Sequence, residues 1–235
     1  MGILGFGKSK PSAQSNVATP SAVYQPSASL PKTGTVNLTK GNRVSLSKSS
    51  GGVYTLITAW GSKDYDLYAL VEYTDGHVEV VSCFGTLRRP HDFSTRTKDG
   101  AVVHVSGDKT ANGSDLPQEV MTVTLNPNIR CVVPVVYSAK NSGAGSFHRY
   151  NVSTYVIEGN HEEVPTDGTA MIRVEAVDAS RDEHVYTFVP AVIHNKPTGA
   201  ELEGVELYSR KSSELRPIVT DGKVTMDGGE ENSNK

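Results

Sequence analysis

The stretch "DLYALVEYTDGHVEVVSCF", residues 66–84, decides how the rest of the chain is read. Two short runs rich in Val, Leu and Tyr flank Thr74, Asp75 and Gly76. Thr-Asp-Gly is tight-turn chemistry, and runs of this length and content favour strands, so a β-hairpin is predicted. The same texture continues on both sides. Before it come "VNLTKGNRVSLS" (36–47) and "GVYTLITAW" (52–60). After it come "AVVHVSG" (101–107), "EVMTVTL" (119–125), "IRCVVPVVYS" (129–138) and "YNVSTYVIE" (150–158), then "AMIRVEAV", "HVYTFVPAVI", "VELYS" and "RPIVTDGKVTM". Each is rich in β-branched or aromatic residues, turn residues bound most of them, and helical periodicity is hard to find. Many short strands with turns between them predict an all-β chain, a β-sandwich of two antiparallel sheets. Doubly apolar runs such as "CVVPVVY" suit central strands covered on both faces. Pro134 inside that run cannot donate to a ladder and should mark a bulge or an edge.

The chain has 235 residues and a net charge of -3. That balance gives no long-range attraction for nucleic acid or an anionic membrane. Cys83 and Cys131 match no metal or redox spacing and lie in apolar runs, so buried free thiols in a reducing compartment are expected. No apolar run approaches the length of a membrane span. The start, "MGILGFGKSK", lacks a signal peptide's apolar stretch and cleavage site, and Phe6 breaks the myristoylation pattern. "LPKTG" at 30–34 has no apolar tail behind it and is not read as a sortase signal. A cytoplasmic protein is the expectation.

Residues 11–32 are mostly Ser, Pro, Ala and Gln and offer little apolar surface to offset ordering entropy. The predicted organisation is therefore a disordered Ser/Pro-rich arm over 1–34, a β-sandwich domain over 35–226, and a disordered polar tail over 227–235.

Between two strand-like runs lies "HVSGDKTANGSDLPQE", residues 104–119. Asp108, Asn112, Asp115, Gln118 and Glu119 concentrate side-chain oxygens there, and hard oxygen donors on an irregular loop suit Ca²⁺ better than zinc or copper. A second acidic group, Asp64 and Asp66 in "KDYDLY", stands at the mouth of a strand, where a period of two puts both on one face. The bland reading is that Asp, Asn, Gly and Ser are what turns are made of. No EF-hand is formed, because Tyr68 and Ala69 stand where its oxygen ligand and Gly are needed. "NSGAGSFH" (141–148) has the look of a phosphate loop, but a strand follows it rather than a helix. His104, Ser106 and Asp108 are too closely spaced for a hydrolase triad, and His104 reads as a surface or edge residue. Trp60 and the tyrosines read as core packing.

Taken together, these segments resemble the tellurite-resistance TerD-type domain family. The likeness is carried by "VNLTKGNRVSLS", "YTLITAWG", "DYDLYALV", the loop at 104–119, "VVPVVYSAKNSGAGSFHRYNVSTYVI" and "GVELYSRKSSELRPIV", over about 36–219 in the family's order. The resemblance implies a non-catalytic β-sandwich with paired Ca²⁺ sites, working with protein partners in a bacterial stress-response complex that can be membrane-associated. It implies no nucleic-acid partner and no small-molecule substrate. The metal role carries over to Asp64, Asp66, Asp108, Asn112, Asp115 and Glu119. Tyr68 replaces a third acid of the family pattern, the segment at 84–86 lacks the family's paired Asn, and Lys109 adds a positive charge. Such changes imply weak Ca²⁺ binding, at both sites, at one or at neither. The alternative is a metal-free structural or adaptor protein that keeps the fold.

Overall fold

The computed structural model describes residues 28–29, 32–46, 51–110, 116–138 and 145–233. Fifteen strands are assigned along them: β1 (Ala28–Ser29), β2 (Thr35–Asn37), β3 (Arg43–Leu46), β4 (Val53–Ala59), β5 (Asp66–Tyr73), β6 (Val78–Val81), β7 (Val102–Thr110), β8 (Pro117–Thr124), β9 (Ile129–Tyr137), β10 (Ser153–Glu158), β11 (Met171–Glu175), β12 (Thr187–Lys196), β13 (Gly199–Tyr208), β14 (Ile218–Thr220) and β15 (Lys223–Thr225). The helical content among the described residues is a single 3-10 turn, Ala179–Arg181, capped by Asp178.

Two sheets face each other. The larger has the order β1-β3-β13-β12-β9-β5-β6, the smaller β2-β11-β10-β4-β8-β7, and β14 and β15 form a separate ribbon. Pairing is antiparallel except at two margins, where β1 runs parallel to β3 and β2 parallel to β11. The predicted sandwich is therefore observed, with parallel additions from the N-terminal segments.

All eight residues of β5 are buried, because its two faces serve two cores. Leu67, Ala69 and Val71 point between the sheets, where they meet Leu56, Met121 and Val123 of the smaller sheet. Tyr68 and Leu70 point outward and join Val133, Val135 and Tyr137 of β9 beneath Val219, Val224 and Met226 of the C-terminal ribbon. Covering both faces is what a continuous apolar run requires. The turn at Thr74–Gly76 closes β5 onto β6: Tyr73 N–H donates to His77 O at 2.9 Å, and Gly76 takes φ +89°, where glycine has no Cβ penalty. Pro134 sits in a central strand, opposite a register shift on β12 between Phe188 and Ile193. The bulge there is the accommodation the sequence called for. Trp60, Tyr65, Phe147 and Phe188 pack together at one end of the sandwich, with Trp60 and Tyr65 edge-on at 5.6 Å.

Two boundaries differ from expectation. The predicted disordered tail from 227 is instead bonded to the domain as far as Ser233. Asn232 N–H donates to Glu214 O and Ser233 N–H to Gly85 O, and Asn232 is 2% exposed. Its small polar residues serve as hydrogen-bond partners for a buried arginine, a use that composition does not reveal. In the predicted disordered arm, Ala28 and Ser29 pair with Val44 and Ser45. The rest of the arm before residue 32 and the last two residues lie outside the described residues.

Candidate functional site at the start of β5

The two acidic groups meet through strand register. β4 sets Thr58 opposite Glu119, which aims the Glu119 side chain into the sandwich. There its Oε2 accepts the backbone N–H of Leu67 at 2.5 Å, a bond between the two sheets across 52 positions of sequence.

The two N-terminal acids part company. Asp64 precedes the strand and is exposed, whereas Asp66 opens β5 and is 3% exposed. A period of two places residues on one face only once the strand has begun, and it begins at Asp66. Asp66 stands in register with Tyr137 on the outer face, with Tyr68, while Glu119 lies on the inner one. The backbone of Asp108 belongs to β7. Asn112 and Asp115 lie outside the described residues. The β7–β8 connection that holds them closes at Thr110 and Pro117, two residues from Glu119.

His104 is the residue that sequence reasoning misplaced. β7 is an edge strand, as expected, but the imidazole is not on the surface; the residue is 7% exposed, while its neighbour Val105 is 51% exposed. The alternation has been inverted, polar inward and apolar outward. A buried carboxylate is the reason, since it needs a positive or donating partner. His104 Nε2 lies 3.2 Å from Glu119 Oε2, both side chains being 2% exposed. His104 pairs with Met121 in the same unbroken register that sets Val102 opposite Val123, so alternation from buried Val102 carries its ring inward. On its other side, Nδ1 lies 3.3 Å from Cys83 Sγ. Burial works against charge on this ring, but hydrogen bonds from Cys83 and Glu119 outweigh it and raise the pKa from 6.5 to about 9.

Cys83 also differs from expectation: it is only half-buried, whereas Cys131 is fully buried; both are free thiols. The line Cys83–His104–Glu119 joins three separate segments, and no spacing in the sequence announces it. The one local sign was a histidine among valines.

Calcium takes six to eight oxygens. Among the described residues no three His, Cys, Asp or Glu side chains are grouped to hold a metal. Glu119 Oε2 is already engaged by an amide and an imidazole, and Asp66 faces away from it.

Among the described residues, no helix is long and apolar enough to cross a membrane. No protein-family model matches the chain, and no curated protein does. Solved structures do resemble it. A protein of unknown function, SAV2460, is 18% identical with a TM-score of 0.41, over 68% of this chain and 90% of that one. The crystal structure of a homologue of telluride resistance protein (TerD) from Streptomyces coelicolor A3(2) is 18% identical with a TM-score of 0.43, over 66% of this chain and 89% of that one.

Proposed function

We propose that this chain is a non-catalytic, TerD-like interaction module that serves in a protein complex, and that its buried acid Glu119 is held by an internal cation rather than by Ca²⁺. The observation that carries the reading is the Glu119 carboxylate itself. It accepts Leu67 N–H from the facing sheet and lies against the His104 ring, whose raised pKa keeps it protonated at neutral pH. A residue that the resemblance assigns to an ion thereby becomes a tie between the sheets. An imidazolium supplies the opposite charge that a metal would otherwise bring.

A second reading keeps weak Ca²⁺ binding on the connection between β7 and β8. It is favoured by Asp66, a carboxylate only 3% exposed at the strand end to which the resemblance assigns the ion. Melting curves in chelator and in millimolar Ca²⁺ separate the two, because a ligand that binds only the folded state raises its stability. Coincident curves are expected. A Ca²⁺-dependent rise that Asp108→Ala abolishes and Glu206→Ala leaves intact would replace the first reading with the second. Isolating the module from its native host, with and without residues 1–34, would identify the partner and the contribution of the arm.

A further inference from the structure

Arg216 stands between the C-terminal segment and the outer face of the larger sheet, and it is 8% exposed. Its Nε donates to Asn232 Oδ1 at 2.6 Å, and its Nη2 donates to Phe84 O at 3.1 Å and Gly85 O at 2.8 Å. The guanidinium carbon lies 5.4 Å from the centroid of the Tyr68 ring and 5.3 Å from that of Phe84. Every one of these partners is neutral. Among the described residues no carboxylate is within ion-pair distance of Arg216, and its Nη1 makes no hydrogen bond. The Glu230 carboxylate acts on it only from beyond ion-pair distance, so this buried charge has no direct anionic partner.

Two further polar groups lie beside it. The Tyr68 hydroxyl and Asn232 Nδ2 are buried, in residues 0% and 2% exposed, and have no hydrogen-bond partner beyond each other. They lie close to the arginine: burial raises the pKa of the tyrosine, and Arg216 and the Asn232 amide act in the opposite direction.

Arg216 lines a cavity of about 410 Å³ between β5, β6 and the C-terminal segment. Leu70, Val80 and Val219 form its apolar wall. Thr86, Arg89 and Glu230 lie at its polar side, where Glu230 accepts from Thr86 at 2.7 Å and pairs with Arg89 at 3.3 Å. The three charged side chains around the space sum to one positive charge. Apolar walls with a few converging polar groups, at this volume, are the character of a small-molecule site.

We infer that this cavity binds a small aliphatic carboxylic acid, its carboxylate on Arg216 and its hydrocarbon tail against Leu70, Val80 and Val219. The unbonded Nη1, with its two N–H groups, beside an apolar wall matches a monocarboxylate. A phosphate would need several more donors on the cavity side.

The probe is hexanoate, followed by calorimetry and by ¹H–¹⁵N spectra of the full chain, with hexanol and hexylamine as uncharged and oppositely charged controls on the same tail. Saturable hexanoate binding is expected, tighter than hexanol by about tenfold or more, with shifts at residues lining the cavity. Arg216→Gln should remove that preference; because Arg216 also pins the C-terminal segment, Val80→Trp provides a second variant that fills the cavity and leaves the arginine in place. Val80→Trp should abolish binding while the rest of the spectrum is retained. Lack of saturation at millimolar hexanoate, equal binding of hexanol, or undiminished binding to Val80→Trp would each overturn the inference.

Discussion

Raising the pH should weaken this fold through one residue. The pKa of His104 is about 9 in the folded chain against 6.5 for the free side chain. A group with a raised folded pKa contributes its full stabilisation below the unfolded value and loses it as pH climbs through the folded one. The window is therefore pH 6.5 to about 9. At 1.36 kcal/mol per pKa unit, the loss amounts to about 3 kcal/mol. With a urea m-value of about 2 kcal/mol/M, the unfolding midpoint should fall by about 1.5 M across the window. The groups facing the ring are Cys83 on one side and Glu119 on the other. His104→Gln should start from a lower midpoint, because it leaves a buried carboxylate without its cation at a cost of about 3–5 kcal/mol. Its midpoint should then be nearly flat over the same window. Cys83→Ser keeps the Glu119 contact while changing the other neighbour of the ring and should keep a reduced version of the loss. If the unmutated protein is as insensitive to pH as His104→Gln, the imidazolium–carboxylate pair is not what ties these sheets.

Three further outcomes are expected. A thiol reagent should modify half-buried Cys83 in the native protein and reach Cys131, which is 0% exposed, only on unfolding; two fast equivalents would contradict the packing. Gly85→Ala would set a Cβ 2.1 Å from Arg89 O and 2.7 Å from Pro90 O, both backbone atoms, and should cost about 1–3 kcal/mol in urea unfolding. Tyr137→Phe removes the hydroxyl that donates to Glu214 at 2.8 Å in a buried setting, and should cost about 1–3 kcal/mol by the same assay.

What the sequence made legible follows from the range of the signal. The hairpin at residues 66–81 is local: turn residues and two apolar runs specify it without reference to the rest of the chain. Burial on both faces shows in a local pattern too, which is why β9 reads as central and Pro134 as a bulge or an edge. The site depends on long-range register. Glu119 meets Leu67 because β8 pairs with β4, and His104 meets Glu119 because β7 pairs with β8 in the register that sets His104 opposite Met121. Neither is encoded in a spacing. Asp64 and Asp66 show the same limit from the other side, since their alternation fails where the strand has not yet started. The C-terminal segment was misread because Asn and Ser are common both in mobile tails and among buried partners of arginine. Only the position of Arg216 distinguishes the two uses.

Two buried charges now stand in contrast. The Glu119 carboxylate has its opposite charge in direct contact, on His104; the Arg216 guanidinium makes no ion pair among the described residues, and the Glu230 carboxylate that acts on it is paired with Arg89. A ligand gains most where it supplies what the protein lacks, so an anion at Arg216 gains more than a cation at Glu119. The difference can be read on one resonance. Ca²⁺ drawn to Glu119 would take the carboxylate away from the imidazole, and the pKa of His104 would fall towards 6.5. Hexanoate on Arg216 sits on the outer face of the larger sheet, while His104 points between the sheets, so its pKa should stay near 9. Titrating the His104 ring signals with each ligand in turn therefore tests both assignments. A His104 shift with Ca²⁺ would restore the ion to the sandwich end, and a shift with hexanoate would mean that the acid binds somewhere other than the cavity.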